Sequence, residues 1–228
     1  LNNTLSFTLV LLLLSMSTFE KMKENMISGQ FLPGLIKDEK LLSVFSEIDR
    51  EKYLPENMKH LAYSDINIKV DKERYLINPY CLAKIIEKSM IKSKDVVLLI
   101  GTNLGYESAI ISKLSNTVIA LEENINFYRK AEVNLKNSLI DNVVNINGDY
   151  ISGCKKYSPY DIIIYLGSAN FPSEILFKQL SENGKLLICE NYNTNLDEGK
   201  LFMYTKISKK IFKEYICDLN VPKLNADI

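Results

Sequence analysis

Residues 96–106 read Val96-Val97-Leu98-Leu99-Ile100-Gly101-Thr102-Asn103-Leu104-Gly105-Tyr106. Five apolar residues in succession suit a central parallel strand covered on both faces. Gly101 and Gly105 then frame a tight turn, and the pattern from Tyr106 to Leu114 is helical. A strand, a glycine turn and a helix in that order present free backbone N–H groups to an anionic or zwitterionic ligand. This stretch sets the expected fold class, α/β, and says where a nucleotide-type site belongs.

Around it the chain alternates. Strands are expected at Val96–Ile100, Thr117–Leu121, Val143–Ile146, Asp161–Leu166 and Lys185–Glu190, with helices at Tyr106–Leu114, Asn124–Asn137 and Pro172–Leu180. Alternation of this kind predicts a central, mostly parallel sheet. Lys200–Ile207 and Ile211–Leu219 flank Ser208-Lys209-Lys210, which predicts a C-terminal antiparallel hairpin. Upstream, Thr18 and Asp38 are candidate caps of two amphipathic helices. Tyr53 to Tyr75 reads as a loop region, and Asn78-Pro79 opens a third helix running to about Met90. One domain is expected over residues 16–228, with a helical cap and substrate-side region at 16–91 and the cofactor-binding sheet at 92–228.

A chain of 228 residues with 46% hydrophobic content can bury a sizeable core. Its 28 basic residues equal its 28 acidic ones, so the basic excess of a nucleic-acid binder is missing. The four cysteines, Cys81, Cys154, Cys189 and Cys217, form no Cys-x-x-Cys pair, and His60 is the single histidine. No metal site is expected, His60 reads as a surface residue, and a reducing cytoplasm is the expected location. Phe7 to Leu14 is apolar but shorter than the roughly 20 residues a membrane span takes. It also lacks the basic flank and cleavage site of a signal peptide. Residues 1–15 therefore read as an upstream extension, with translation beginning naturally at Met16.

The ends of parallel strands gather ligand-binding residues on one edge. Gly101, Thr102, Asn103 and Gly105 form the first station, where glycine lets backbone approach a ligand. Glu122, 21 residues after Gly101 and just beyond a strand, has the position of an acid that accepts both hydroxyls of a ribose. Asp149 and Tyr150 follow the next strand, where one could take a purine amine and the other pack on its ring. An Asn-Gly turn with a capping aspartate explains the same residues equally well. Leu166-Gly167-Ser168-Ala169 supplies small residues that make room for a substrate.

In this order the motifs resemble the protein-L-isoaspartate O-methyltransferase family. The likeness includes Met26-Ile27-x-Gly29-Gln30, Arg50-Glu51-x-Tyr53-Leu54-Pro55, Ala62-Tyr63-x-Asp65 and Pro79-Tyr80-x-x-Ala83. It continues through the Gly101 turn, Asn147-Gly148-Asp149, Pro159-Tyr160-Asp161-Ile162-Ile163 and Asn183-Gly184-Lys185-Leu186. The resemblance implies a Rossmann-like class I methyltransferase fold and S-adenosylmethionine as cofactor. It implies a protein or peptide carboxylate as methyl acceptor, notably isoaspartyl residues in damaged proteins. By the same likeness Gly101 to Gly105 hold the methionine part, Glu122 the ribose, and Asp149 with Tyr150 the adenine. No catalytic residue is assigned, and neither nucleic acid nor membrane is an expected partner.

Three positions depart from the family pattern. Leu99 stands where the family has an acid, Asn103 replaces its middle glycine, and Ile77 replaces a hydroxyl residue that places the substrate. Asparagine tolerates the left-handed conformation the turn needs, but its side chain intrudes on the cofactor's space. Losing the acid at position 99 weakens cofactor binding by roughly 1.5–3 kcal/mol. A carboxylate acceptor is already anionic at neutral pH and needs no general base. A methyltransferase is therefore the expectation, with a catalytically weakened or non-enzymatic binding module as the alternative. A nicotinamide-dependent dehydrogenase fits less well, because the full Gly-x-Gly-x-x-Gly spacing is absent.

Overall fold

The computed structural model describes residues 18–72, 74–191 and 199–224. The apolar run Phe7–Leu14, the extension reading of residues 1–15 and the proposed start at Met16 lie outside the described residues. Among those described, no helix is long and apolar enough to cross a membrane.

Among the described residues the α-helices are α1 (Thr18–Met26), α2 (Glu39–Glu47), α3 (Pro79–Ser89), α4 (Tyr106–Ser112), α5 (Ile125–Asn137) and α6 (Glu174–Lys178). A short antiparallel pair, β1 (Ile68–Asp71) and β2 (Arg74–Leu76), sits at the end of the span expected to be loop and runs one residue past it. Its few residues carry no run of alternation long enough to mark strands. The main sheet holds β3 (Val96–Ile100), β4 (Thr117–Glu122), β5 (Val143–Asn147), β6 (Tyr160–Ala169), β7 (Leu180–Glu190), β8 (Gly199–Ile207) and β9 (Lys210–Leu219). Its order is β5-β4-β3-β6-β7-β8-β9, parallel through β7 and antiparallel at the last two pairings. β3 lies at the centre of the parallel part, as its unbroken apolar run requires.

Alternation along β3 divides the core between two faces. Val97 and Leu99 join Ala109, Ile110, Phe127 and the cap residues Phe31 and Phe45 on one face. Leu98 and Ile100 join Tyr160, Leu176 and Leu186 on the other. Each fully buried Leu or Ile contributes about 1.5–3 kcal/mol relative to exposure. Leu99 is therefore core on the side of α4 and α5, and no polar group from that position reaches the strand ends.

Of the caps read from sequence, Asp38 and Asn78 stand at the expected residues, Thr18 is instead the first residue of α1, and Asn124 caps the helix it was expected to begin. Asp38 Oδ1 accepts from the Leu41 N–H at 3.0 Å, and Asn124 Oδ1 accepts from the Asn126 and Phe127 N–H groups at 2.9 and 3.3 Å. Asn78 Oδ1 accepts from Tyr80 and Cys81 at 2.8 and 3.2 Å, so Asn78-Pro79 is accounted for by capping. Two helices are shorter than expected. α4 stops at Ser112, whose Oγ bonds the Ala109 carbonyl at 2.7 Å. α6 is a single turn, because the Gln179 carbonyl is taken by the Tyr160 N–H at 2.8 Å and the chain enters β7 at Leu180. The final hairpin turns on Ser208 and Lys209 alone, both with positive φ (50° and 66°), and Lys210 begins β9.

After β9 the chain crosses back over the strand ends. The Ser168 N–H donates to the Pro222 carbonyl at 2.8 Å, and Leu224 packs on Gly101 and Gly167. The small residues at 167–169, expected to leave room for a substrate, instead admit this segment. A Cβ at Gly167 would stand 2.6 Å from Leu224 Cβ and 3.0 Å from its backbone nitrogen. Gly167→Ala should lower stability by about 1–3 kcal/mol through overpacking. In urea denaturation this reads as a lower midpoint at unchanged m, and an unchanged midpoint would show that the segment does not bear on Gly167.

Candidate functional site

The Gly101–Gly105 turn, Glu122 and Asp149 with Tyr150 fall at the carboxyl ends of β3, β4 and β5, whereas Leu166–Ala169 form the last residues of β6. Gly101 leaves β3 at φ 84° and Gly105 enters α4 at φ 92°. Asn103 sits between them at φ 47°, the left-handed conformation asparagine tolerates. The turn is tied to β4 by the Gly101 N–H, which donates to the Leu121 carbonyl at 2.9 Å.

Glu122 ends β4 completely buried, and its carboxylate carries four donors. Oε2 accepts from the Asn103 N–H at 2.9 Å and from Arg74 Nη2 at 2.8 Å. Oε1 accepts from the Asn124 N–H at 2.9 Å and from the Tyr150 hydroxyl at 2.5 Å. Arg74 comes from β2, outside the main sheet, and is 7% exposed against 0% for Glu122. Its Nε and Nη2 also donate to Asn103 Oδ1 at 3.1 and 2.8 Å, and Nη1 donates to the Tyr150 oxygen at 2.6 Å. The guanidinium lies 5.4 Å from the Phe127 ring centre and 5.6 Å from that of Tyr150. Burial works against its charge, but Glu122 and Tyr150 outweigh it and raise the guanidinium pKa. Burial, then Glu122, pushes the Tyr150 phenol upward, so its proton stays in place.

The Asn103 side chain does occupy the space in front of the turn. Its Oδ1 serves Arg74, while Nδ2 donates to the Tyr75 and Gly101 carbonyls at 3.2 and 3.3 Å. Asp149 is exposed, and its carboxylate accepts from the Ile151 and Ser152 N–H groups at 3.2 and 2.8 Å. Burial raises the Asp149 pKa, yet the contacts with Ser152 and Ile151 outweigh it and hold the carboxyl below its ordinary value. Asp149 therefore already has the turn-capping job that sequence reasoning left as one of two options. The Tyr150 ring forms one wall of a cleft of about 410 Å³, lined also by Tyr165, Ala169, Phe171 and Leu176. Ile77 is buried, and its carbonyl accepts from Arg50 Nη2 at 2.7 Å. His60 is exposed in the short helical turn Glu56–Leu61, and no group of three or more His, Cys, Asp or Glu residues that could hold a metal occurs among the described residues.

Two sets of residues escaped the sequence reading. Arg74 lay in a span with no periodicity, and nothing local marks a residue whose partners are 29, 48 and 76 positions away. The second set is Arg50, Tyr106, Glu107 and Ser108, which carry buried polar atoms without hydrogen-bond partners, as does Thr102, already singled out in the turn. Thr102 Oγ1 among them is a free polar group within the glycine turn itself. Burial raises the Glu107 carboxyl to about 7 against the pull of Arg50. The unfolded chain releases that proton near 4.5, so between about 4.5 and about 7 the folded chain binds more protons. The stabilisation is complete below about 4.5 and is lost as pH rises through about 7. Stability should fall over this window, and Glu107→Gln should flatten the slope. Chemical denaturation at a series of pH values measures it; an identical slope in the variant would place the titration elsewhere.

Comparison with known proteins gives consistent relatives. The family model described as Protein-L-isoaspartate(D-aspartate) O-methyltransferase matches residues 21–217. Protein-L-isoaspartate O-methyltransferase 1 of Geotalea uraniireducens is 32% identical over 167 residues, 73% of this chain and 76% of its own length. Protein-L-isoaspartate O-methyltransferase of Aliivibrio fischeri is 31% identical over 192 residues, 84% of this chain and 90% of its own. A solved protein-L-isoaspartate O-methyltransferase superposes with TM-score 0.74 at 25% identity, covering 88% of this chain and 65% of that longer one. The fold is also that of a putative protein-L-isoaspartate O-methyltransferase from Plasmodium falciparum, solved with S-adenosyl-L-homocysteine. That likeness has TM-score 0.76 at 21% identity and covers 93% of this chain and 100% of the other.

Proposed function

Because the chain belongs to the protein-L-isoaspartate(D-aspartate) O-methyltransferase family, we propose that its β3–β5 strand ends hold the cofactor and that isoaspartyl carboxylates in proteins or peptides are its acceptors. The chain is an S-adenosylmethionine-dependent methyltransferase. The observation that carries the site assignment is Glu122, a fully buried carboxylate 2.9 Å from the Asn103 N–H of the glycine turn. A buried charge at that place suits a ribose diol, and the unpartnered Thr102 hydroxyl suits the polar end of an amino acid. Gly101, Thr102, Asn103 and Gly105 border the methionine portion. Tyr150 borders the base, with the adjoining cleft offering room for a purine ring.

The cofactor supplies an activated methyl group, and this chain supplies alignment and exclusion of water. A carboxylate acceptor arrives ionised, so no side chain has to remove a proton, which agrees with the lack of an imidazole at the site. Asp149 can receive an exocyclic amine only by sharing an oxygen already used within its turn. Residues 16–91 form the acceptor side in this reading and residues 92–228 the cofactor side, except that Arg74 crosses between them. Balanced charge supports a protein acceptor over nucleic acid, and four unpaired thiols support a reducing cytoplasm.

Calorimetric titration with S-adenosylhomocysteine tests the cofactor site. Binding by the native chain should weaken about ten- to hundredfold in Glu122→Ala, the value of a charge-assisted hydrogen-bond pair. No binding by the native chain at millimolar ligand would remove the cofactor assignment. Labelled methyl transfer to an isoaspartyl peptide, against its aspartyl counterpart, then tests the acceptor; equal labelling of both would exclude the isoaspartyl preference.

A further inference from the structure

A carboxylate offers about four lone-pair positions, and Glu122 uses all four. Two of its donors, the N–H groups of Asn103 and Asn124, are fixed by the glycine turn and by the cap of α5. The other two, Arg74 Nη2 and the Tyr150 hydroxyl, end side chains that rotate. A vicinal diol that donates to Glu122 therefore cannot be added to this arrangement. It has to replace donors, and only Arg74 and Tyr150 can yield their places without unfolding a turn or a helix end.

The two replaceable donors are also joined to each other. Arg74 Nη1 donates to Tyr150 at 2.6 Å, and Tyr150 donates to Glu122 at 2.5 Å. Asn103 completes the clasp, since its Oδ1 takes two further donors of the same guanidinium. Removing the guanidinium thus opens one acceptor position on Glu122 Oε2, the Asn103 Oδ1 and one acceptor position on the Tyr150 oxygen together. Removing the cation alone costs stability, because it leaves the buried Glu122 carboxylate without its counter-charge.

Resting on the assignment of Glu122 to the cofactor's ribose, we propose that Arg74 is an internal competitor for that position, so that the chain closes its own cofactor site. A ligand carrying a ribose diol opens the site by exchanging its two hydroxyls for the Arg74 and Tyr150 donors. The exchange releases the Tyr150 ring toward the base and frees the guanidinium on β2. No covalent bond changes; the step is a swap of hydrogen-bond partners.

The test compares the native chain with Arg74→Met, which keeps an unbranched apolar stem and loses every donor, in titrations with S-adenosylhomocysteine. The variant should bind at least about tenfold more tightly. Equal affinity, or weaker binding by the variant, overturns the competitor role while leaving the cofactor assignment intact. Binding by neither protein overturns the cofactor assignment and this inference with it. A second measurement uses the folded native chain and does not depend on the variant's stability. The sequence contains three arginines, Arg50, Arg74 and Arg129, so selective 15N-arginine labelling gives three Nε–H signals. The Arg74 signal, identified with Arg74→Lys, should shift and lose protection from solvent exchange when S-adenosylhomocysteine binds. A signal that keeps its shift and protection in the ligand-saturated protein would show that the clasp stays shut and the inference is wrong.

Discussion

A carboxylate with no solvent access has to be fully paired, and the pairing of Glu122 organises everything around it. An isolated charge in that position would cost many kcal/mol or be neutralised by a proton. Backbone amides on two sides meet part of the demand: the Asn103 N–H brings the glycine turn against the end of β4, and the Asn124 N–H brings in the start of α5. Arg74 and Tyr150 meet the rest and draw β2 and the loop after β5 to the same point. Four separate parts of the chain thus converge on one side chain. The geometry of the strand-end site follows from that convergence as much as from the sheet.

The departures from the family pattern take on physical meaning in this setting. Asn103 holds the left-handed turn where glycine would, and its amide then becomes a ligand for Arg74. A glycine there would leave two guanidinium donors without an acceptor. Leu99 contributes only to the core on the side of α4 and α5, so the charge balance at the strand ends rests on Glu122 and Arg74. Ile77 buries an apolar side chain where the family pattern has a hydroxyl, while its backbone carbonyl, which any residue would supply, accepts from Arg50. These substitutions change which groups face the site and leave the sheet beneath it undisturbed.

Much of the scaffold was readable from local pattern. The run Val96–Ile100 marked the central strand because a strand covered on both faces must be apolar at every position. Asp38, Asn78 and Asn124 marked helix starts because a short polar side chain there satisfies an otherwise unpaired N–H. Boundaries slipped where a tertiary hydrogen bond decided them, as at Gln179, whose carbonyl is claimed by Tyr160 rather than by the helix. The β1–β2 pair was not readable, since its few residues lack a repeating pattern. The seat of Leu224 on Gly101 and Gly167 was equally hidden, because small residues look the same whether they admit a ligand or another part of the chain.

By itself the sequence determined the α/β layering, the order of the strand-end stations and the position of the acid at residue 122. Periodicity, glycine placement and capping act within a few residues of one another, so they are written where they can be read. Only the tertiary structure decided what occupies that acid. Apart from the neighbouring Asn124, the partners of Glu122 come from positions 74, 103 and 150, and no local rule links them. Desolvation joins them, because a carboxylate shut off from water must find its donors wherever the fold brings them.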